Sequence, residues 1–132
     1  MDTLTWLDKE LGIIHWTFRP DMTVDEMLID FDTFREMAES VPCRTYPILD
    51  FTGAGTIPSD IVIHYPEMQK RLPTGDKRAA LIAVVSNKTF INALMNIFSR
   101  LYQDQFAFFQ TFDAAYLHVR ALTKQAMSSV LG

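Results

Sequence analysis

The order of polar and apolar residues at the start of the chain predicts two neighbouring strands. Residues 3–7 alternate polar and apolar side chains, with the two-residue period of a half-buried strand. After a polar turn, residues 13–18 place Ile14, Trp16 and Phe18 on one face of a second strand. Two strands separated by a short turn predict an N-terminal β-hairpin.

A helix is predicted from Val24 to about Ser40. Thr23 and Glu26 have the spacing of a capping box, in which each side chain binds the backbone amide of the other residue. Apolar residues then recur at helical spacing and predict a core-facing stripe: Val24, Met27, Leu28, Phe31, Phe34 and Ala38. The opposite face is acidic, with Asp25, Glu26, Asp30, Asp32, Glu36 and Glu39 against a single Arg35.

The rest of the chain alternates predicted strands with predicted helices. Strands are expected at residues 46–51, 79–85 and 106–109, and the second of these is apolar throughout, as in a central parallel strand. A helix is expected from Pro58 or Ser59, and Pro66 should kink or split it. Further helices are expected over residues 88–102 and after Thr111 as N-cap. The last helix has an apolar stripe of Phe112, Ala115, Val119, Leu122 and Ala126.

This order predicts one α/β domain over residues 1–132, arranged β-β-α-β-α-β-α-β-α. Strands that alternate with helices pair in parallel through right-handed crossovers, so most of the sheet should be parallel. The hairpin should contribute one antiparallel strand at an edge. No linker or repeat divides the chain.

Composition and charge narrow the classes of function. The chain has 132 residues, 48% of them hydrophobic, and a net charge of −4, which comes from −8 in residues 1–60 and +4 in residues 61–132. An acidic chain of this kind argues against a nucleic-acid binder. One cysteine argues against a disulfide framework, and no uncharged stretch approaches the length of a membrane span. The expectation is a cytoplasmic protein without a signal peptide.

The chain resembles the SpoIIAA-like group related to STAS domains (sulfate transporter and anti-sigma factor antagonist). The resemblance spans nearly the whole chain and rests on element order and local patterns. These are the hairpin ending at Gly12-Ile13-Ile14, the helix start at residues 20–26, the segment 48–53, the strands at 78–85 and 106–109, and the helix start at 111–115. It implies a SpoIIAA-like fold, with a β-α core related to CRAL-TRIO lipid-binding domains, and a role in protein regulation or ligand carriage. Receiver domains and flavodoxin-like folds are the alternatives.

The loop after the third strand is the candidate contact site for a ligand or partner. Loops at the carboxyl ends of parallel strands are where open α/β sheets bind ligands. Ser59 matches the serine that STAS regulators phosphorylate, but Pro58 replaces the preceding acid and the following glycine is absent. Helix capping is therefore the alternative role of Ser59. The residues of this candidate loop are Thr52, Gly53, Gly55, Thr56 and Ser59.

No catalytic constellation is visible in the sequence, and no cofactor or metal is expected. His15, His64 and His118 fall on a strand and two helices without ligand spacing, and Cys43 lacks an assigned base. Asp30 and Asp32 are expected on an exposed helix face, where nothing would separate their pKa values. Asp50 and Ser86 could mimic two residues of a receiver domain, but Gln110-Thr111 stands where the lysine should be.

Three functions remain in order of preference. The first is a non-enzymatic, STAS-like regulatory domain that acts through a protein partner. The second is a carrier of a small apolar ligand, since ten Phe and seven Met could line a pocket. The third is an enzyme of hidden chemistry. A homodimer is a further hypothesis, because a second apolar stripe on the helix at 88–102 could form a self-complementary face: Ile91, Met95, Phe98 and Tyr102.

The basic residues around Pro73-Thr74-Gly75 allow two interpretations. Lys70, Arg71, Lys77 and Arg78 cluster in this part of the sequence. A solvated loop is the ordinary explanation for such a group, and contact with an anion or acidic partner is the alternative.

Overall fold

The computed structural model describes residues 3–53, 63–87 and 105–131. Five strands and three α-helices lie in these ranges, together with one turn of 3₁₀-helix at Gly75–Lys77. The strands are β1 (Leu4–Asp8), β2 (Ile13–Thr17), β3 (Tyr46–Asp50), β4 (Ile82–Val85) and β5 (Phe106–Phe109). The helices are α1 (Val24–Glu39), α2 (Tyr65–Arg71) and α3 (Phe112–Leu131).

The five strands form one sheet in the order β1-β2-β3-β4-β5. β1 pairs with β2 in antiparallel fashion, and each later pair is parallel. The predicted α/β sheet with an antiparallel strand at its edge is confirmed. The pairing of β1 shifts between Trp6 and Asp8, which makes Leu7 a bulge that the sequence pattern did not predict.

Alternating strand residues divide the core into two layers. Ile14, Trp16 and Phe18 lie on the face covered by α1 and α2, as the hairpin pattern predicted. The layer on that face also contains Met27 and Phe34 from α1. The opposite face packs against α3 and contains these buried residues: Ile13, Ile48, Leu81, Ala83, Val85, Ala115 and Val119. The sheet is therefore covered on both faces, and strand side chains alternate between the two layers.

Side-chain caps fix the starts of the two long helices. The capping box of α1 is present: Thr23 Oγ1 accepts from the Glu26 amide, and the Glu26 carboxylate accepts from the Thr23 amide. At α3, Thr111 Oγ1 accepts from the Ala114 amide at 3.2 Å. Both caps were predicted, and both satisfy amides that lack partners within the helix.

Two details of the predicted helices are wrong. Residues 63 and 64 form a turn and α2 begins at Tyr65, so Pro66 lies in the first helical turn rather than at an internal kink. A proline is tolerated there because the first amides have no helical acceptor. Ala126 is exposed on α3, and Thr123 is buried instead. The helix expected over residues 88–102 lies outside the described residues.

No helix within 3–53, 63–87 or 105–131 combines the length and apolar character that a bilayer crossing requires.

Candidate functional site

A polar cluster lies at the carboxyl ends of β2 and β3, on the face of the sheet that α3 covers. The strand register places Thr17 opposite Asp50 and His15 opposite Ile48. Side chains two residues apart on a strand share a face, so His15, Thr17 and Asp50 are neighbours there. Ligand sites of open α/β sheets occur at this edge, where parallel strands end.

Both oxygens of the Asp50 carboxylate are engaged. Oδ1 accepts from the Thr52 hydroxyl at 2.6 Å and from the Thr52 backbone amide at 3.0 Å. Oδ2 lies 3.0 Å from His15 Nε2. With its proton on Nε2, the imidazole donates to Asp50, so three donors converge on one buried carboxylate.

These hydrogen bonds determine the ionisation of Asp50. Burial acts to raise the pKa of this carboxyl, but the hydrogen bonds from Thr52 and His15 outweigh it and hold the pKa below its ordinary value. Asp50 therefore stays a carboxylate in neutral solution. It fixes the backbone turn that begins the loop after β3.

The His15 ring lies between Asp50 and the first residue of α3. Its centroid is 4.6 Å from that of the Phe112 ring, with the planes inclined at 39°. Thr17 Oγ1 lies 3.5 Å from Nε2, a long contact beside the shorter one to Asp50. The side chain of His15 is 25% exposed and that of Asp50 is 11% exposed, so solvent reaches the imidazole more easily than the carboxylate.

The candidate loop predicted from the sequence begins at this cluster. Thr52 and Gly53 are both exposed, and Thr52 is bound to Asp50 as described above. Gly55, Thr56 and Ser59 lie outside the described residues. The proposed partner face, Ile91, Met95, Phe98 and Tyr102, also lies outside them.

The pairing of His15 with Asp50 was missed in the sequence, where His15 was assigned a structural role. The two residues are 35 positions apart, and only the register of β2 against β3 brings them together. One signal was present: Asp50 ends an otherwise apolar strand. A buried carboxylate needs donors, and His15 was a polar residue on the neighbouring strand.

Asp30 was expected on an exposed helix face, and this expectation is wrong. Its Oδ2 atom is buried and makes no hydrogen bond with a described residue, and the same holds for Trp16 Nε1. Burial is the largest influence on Asp30 and raises the pKa of its carboxyl, although Thr3 and Arg19 act in the opposite direction. The carboxyl of Asp30 therefore differs from the ordinary exposed carboxylate that was expected on this helix.

Two members of the basic cluster tether neighbouring segments to α1. The Arg71 guanidinium donates to the carbonyl oxygen of Leu28 at 3.2 Å and to Asp32 Oδ2 at 2.9 Å. Lys77 Nζ donates to the carbonyl oxygen of Val41, just beyond α1, at 2.6 Å. These contacts give Arg71 and Lys77 structural roles in holding α2 and the 3₁₀ turn.

The described part of the chain contains no group of three or more His, Cys, Asp or Glu side chains suited to a metal ion. Comparisons with family models, with curated proteins and with solved structures give no match to this chain. The resemblance to STAS-related domains therefore stays a prediction.

Proposed function

We propose that the chain is a non-enzymatic regulatory domain, of the STAS-related kind that its sequence resembles, and that a protein partner contacts the loop after β3. The observation that carries the proposal is the binding of Thr52 by Asp50 through both hydroxyl and amide. These bonds fix Thr52, which is exposed at the start of this loop. A surface that is already ordered loses less conformational entropy when a partner binds.

The chemistry of the cluster favours positioning over catalysis. The one carboxylate accepts three hydrogen bonds, and its lowered pKa makes it a weak general base. Thr17 lies beside the same imidazole nitrogen that faces Asp50, so the three side chains do not form the relay of a hydrolytic triad. Their common effect is to hold β2, β3 and Thr52 together.

The carrier hypothesis gains little from the described aromatic residues. Trp16 packs against Phe18, Phe31 and Phe34, and Phe18 stacks on Phe51 at 4.1 Å. Met22, Met27 and Met68 are buried in the same layer. These side chains belong to the buried core of that face. Native mass spectrometry separates the two functions, since a co-purified, lipid-sized mass would favour a carrier.

A large side chain at Gly53 should block partner binding without disturbing the fold. Among the described residues, a Cβ atom there would meet only the carbonyl oxygen of Phe18, at an ordinary 3.7 Å, so Gly53→Arg introduces no backbone clash with them. The matched control is Thr74→Arg, which adds the same charge at an exposed position. Thr74 precedes β4, whose amino end lies beside that of β3, whereas Gly53 follows the carboxyl end of β3.

The experiment is affinity purification of tagged wild type and both variants from cells that produce the protein. We expect a partner retained by wild type and Thr74→Arg but reduced at least about tenfold with Gly53→Arg, as for loss of about 1.4 kcal/mol at a central contact. Equal recovery with all three proteins would exclude the loop as the contact. Sedimentation of the purified chain tests self-association.

A further inference from the structure

His15 links three parts of the molecule that are distant in sequence. Its ring lies on β2, faces the carboxylate that ends β3, and contacts the Phe112 ring that begins α3. The same carboxylate holds the Thr52 amide and hydroxyl. A change of charge on His15 therefore acts directly on the Asp50 carboxylate, which fixes Thr52 at the start of the loop.

We propose that His15 and Asp50 form a proton-linked latch, in which protonation of His15 tightens the pair and fixes the position of Thr52. In the neutral imidazole, Nε2 donates to Asp50, and Nδ1 makes no hydrogen bond with a described residue. The second proton enters at Nδ1. The hydrogen bond from Nε2 then joins an imidazolium cation to the Asp50 carboxylate, whereas before protonation only the carboxylate was charged. Hydrogen bonds between ionised groups are shorter and stronger than those with a neutral partner.

The charged groups around the ring favour this response. Asp50 faces His15 from β3, while its other neighbours among the described residues are uncharged: Thr5 on β1, Thr17 on β2 itself and Phe112 on α3. Asp113 follows Phe112 and is exposed to solvent. The Asp8–Arg120 ion pair joins β1 to α3 at the opposite end of β1 and neutralises itself at 3.2 Å. Among the described residues, Asp50 is thus the charged group closest to the imidazole.

The sign of the effect follows from these contacts. Histidine side chains change charge between about pH 5 and pH 8. Across that interval Asp50 stays ionised, since its hydrogen bonds keep the pKa of the carboxyl below the ordinary value. Acidification therefore strengthens the attraction between β2 and β3. The cation also gains a favourable contact with the Phe112 ring.

A role for the latch in regulating partner binding rests on the proposed function. The latch itself is a property of the isolated chain and can be measured without a partner. Failure of the latch and failure of the proposed interaction would thus be seen in different experiments.

The test is an NMR titration of the full chain from about pH 8 to about pH 5, the range in which histidines change charge. It follows the ring nitrogens of all three histidines and the backbone amide of Thr52. We expect the Thr52 amide to shift with the same midpoint as the His15 ring. A Thr52 amide that stays in place while His15 titrates would overturn the proposal.

Three variants give independent checks. His15→Gln keeps a donor near Asp50 but does not titrate, so the shift at Thr52 should be lost. In Asp50→Asn, which removes the carboxylate between His15 and Thr52, the Thr52 amide should no longer respond to pH. His118→Gln, on the exposed side of α3, is the control and should leave the response unchanged. A response that survives in His15→Gln would assign the effect to another group and reject the latch.

Discussion

Gly12 is the residue at which backbone conformation and close packing coincide. Its φ of +77° lies in the left-handed region, and an added Cβ would come within 2.8 Å of the Arg44 carbonyl oxygen and 3.1 Å of Cys43 Sγ. The carbonyl belongs to the backbone and cannot move aside easily. Gly12 also accepts a hydrogen bond from the Tyr46 amide, which aligns the start of β3 with β2.

Alanine substitution separates two reasons for a glycine: a left-handed backbone conformation and a lack of space for a Cβ atom. Gly75 has a φ of +60° with nothing within 4 Å of an added Cβ, so Gly75→Ala should lower the free energy of unfolding by about 1 kcal/mol for backbone strain alone. Gly12→Ala adds a steric clash and should lose more than about 2 kcal/mol. Urea unfolding of both variants measures the difference, and equal losses would show that the clash is relieved.

Asp50 and Asp30 should respond to pH in opposite directions. The pKa of Asp50 is lowered in the fold, so its contribution to stability is present above its unfolded pKa and is lost as pH falls through the folded value. The pKa of Asp30 is raised, chiefly by burial, so its ionisation opposes folding as pH rises.

Substitution by asparagine removes each effect. Relative to wild type, Asp50→Asn should lose most stability near pH 7, and the difference should shrink toward about pH 3. Asp30→Asn should compare more favourably with wild type at about pH 7 than at about pH 3. Urea midpoints across this range measure both trends. Parallel pH profiles for the two variants would contradict the assignment.

At the scale of single elements, the sequence predicts the strands and helices that are determined by residues within their own segment. Periodicity and capping residues within one segment were enough for β2, α1 and the start of α3. The bulge at Leu7 depends on pairing with β2, and the burial of Asp30 depends on how α1 packs against Trp16 and its neighbours. The candidate site was predicted as a loop, but the His15–Asp50 pair requires the register between strands, which no local pattern specifies.

The capping box of α1 can be tested against a threonine within the same helix. Thr23→Ala removes the acceptor of the Glu26 amide and should lower the free energy of unfolding by about 1 kcal/mol. Thr33→Ala removes a hydroxyl that only bonds back to the carbonyl of Ile29, so its effect should be close to zero. Thermal unfolding compares the two. A loss at Thr33 equal to that at Thr23 would argue against a specific cap.

At the scale of the whole molecule, the sheet lies between two separate apolar clusters of described residues. Adjacent strand residues belong to opposite layers: Ile13 faces α3 and Ile14 faces α1, while Val85 faces α3 and Val84 faces α1. Loss of either layer would expose one face of a sheet whose strands are apolar on both sides. The layers should therefore unfold together.

Val119→Ala tests this coupling from the α3 side. Val119 is fully buried against the sheet, so removing two methyl groups should lower the free energy of unfolding by about 2 kcal/mol. The control, Leu117→Ala on the same helix, alters a side chain that is 70% exposed and should have little effect. Trp16, buried in the opposite layer, provides a fluorescence signal, and circular dichroism follows the helices. Because the strands share both layers, the two signals should shift together in Val119→Ala. A transition of the helical signal that precedes the Trp16 signal would instead make α3 a separate folding unit.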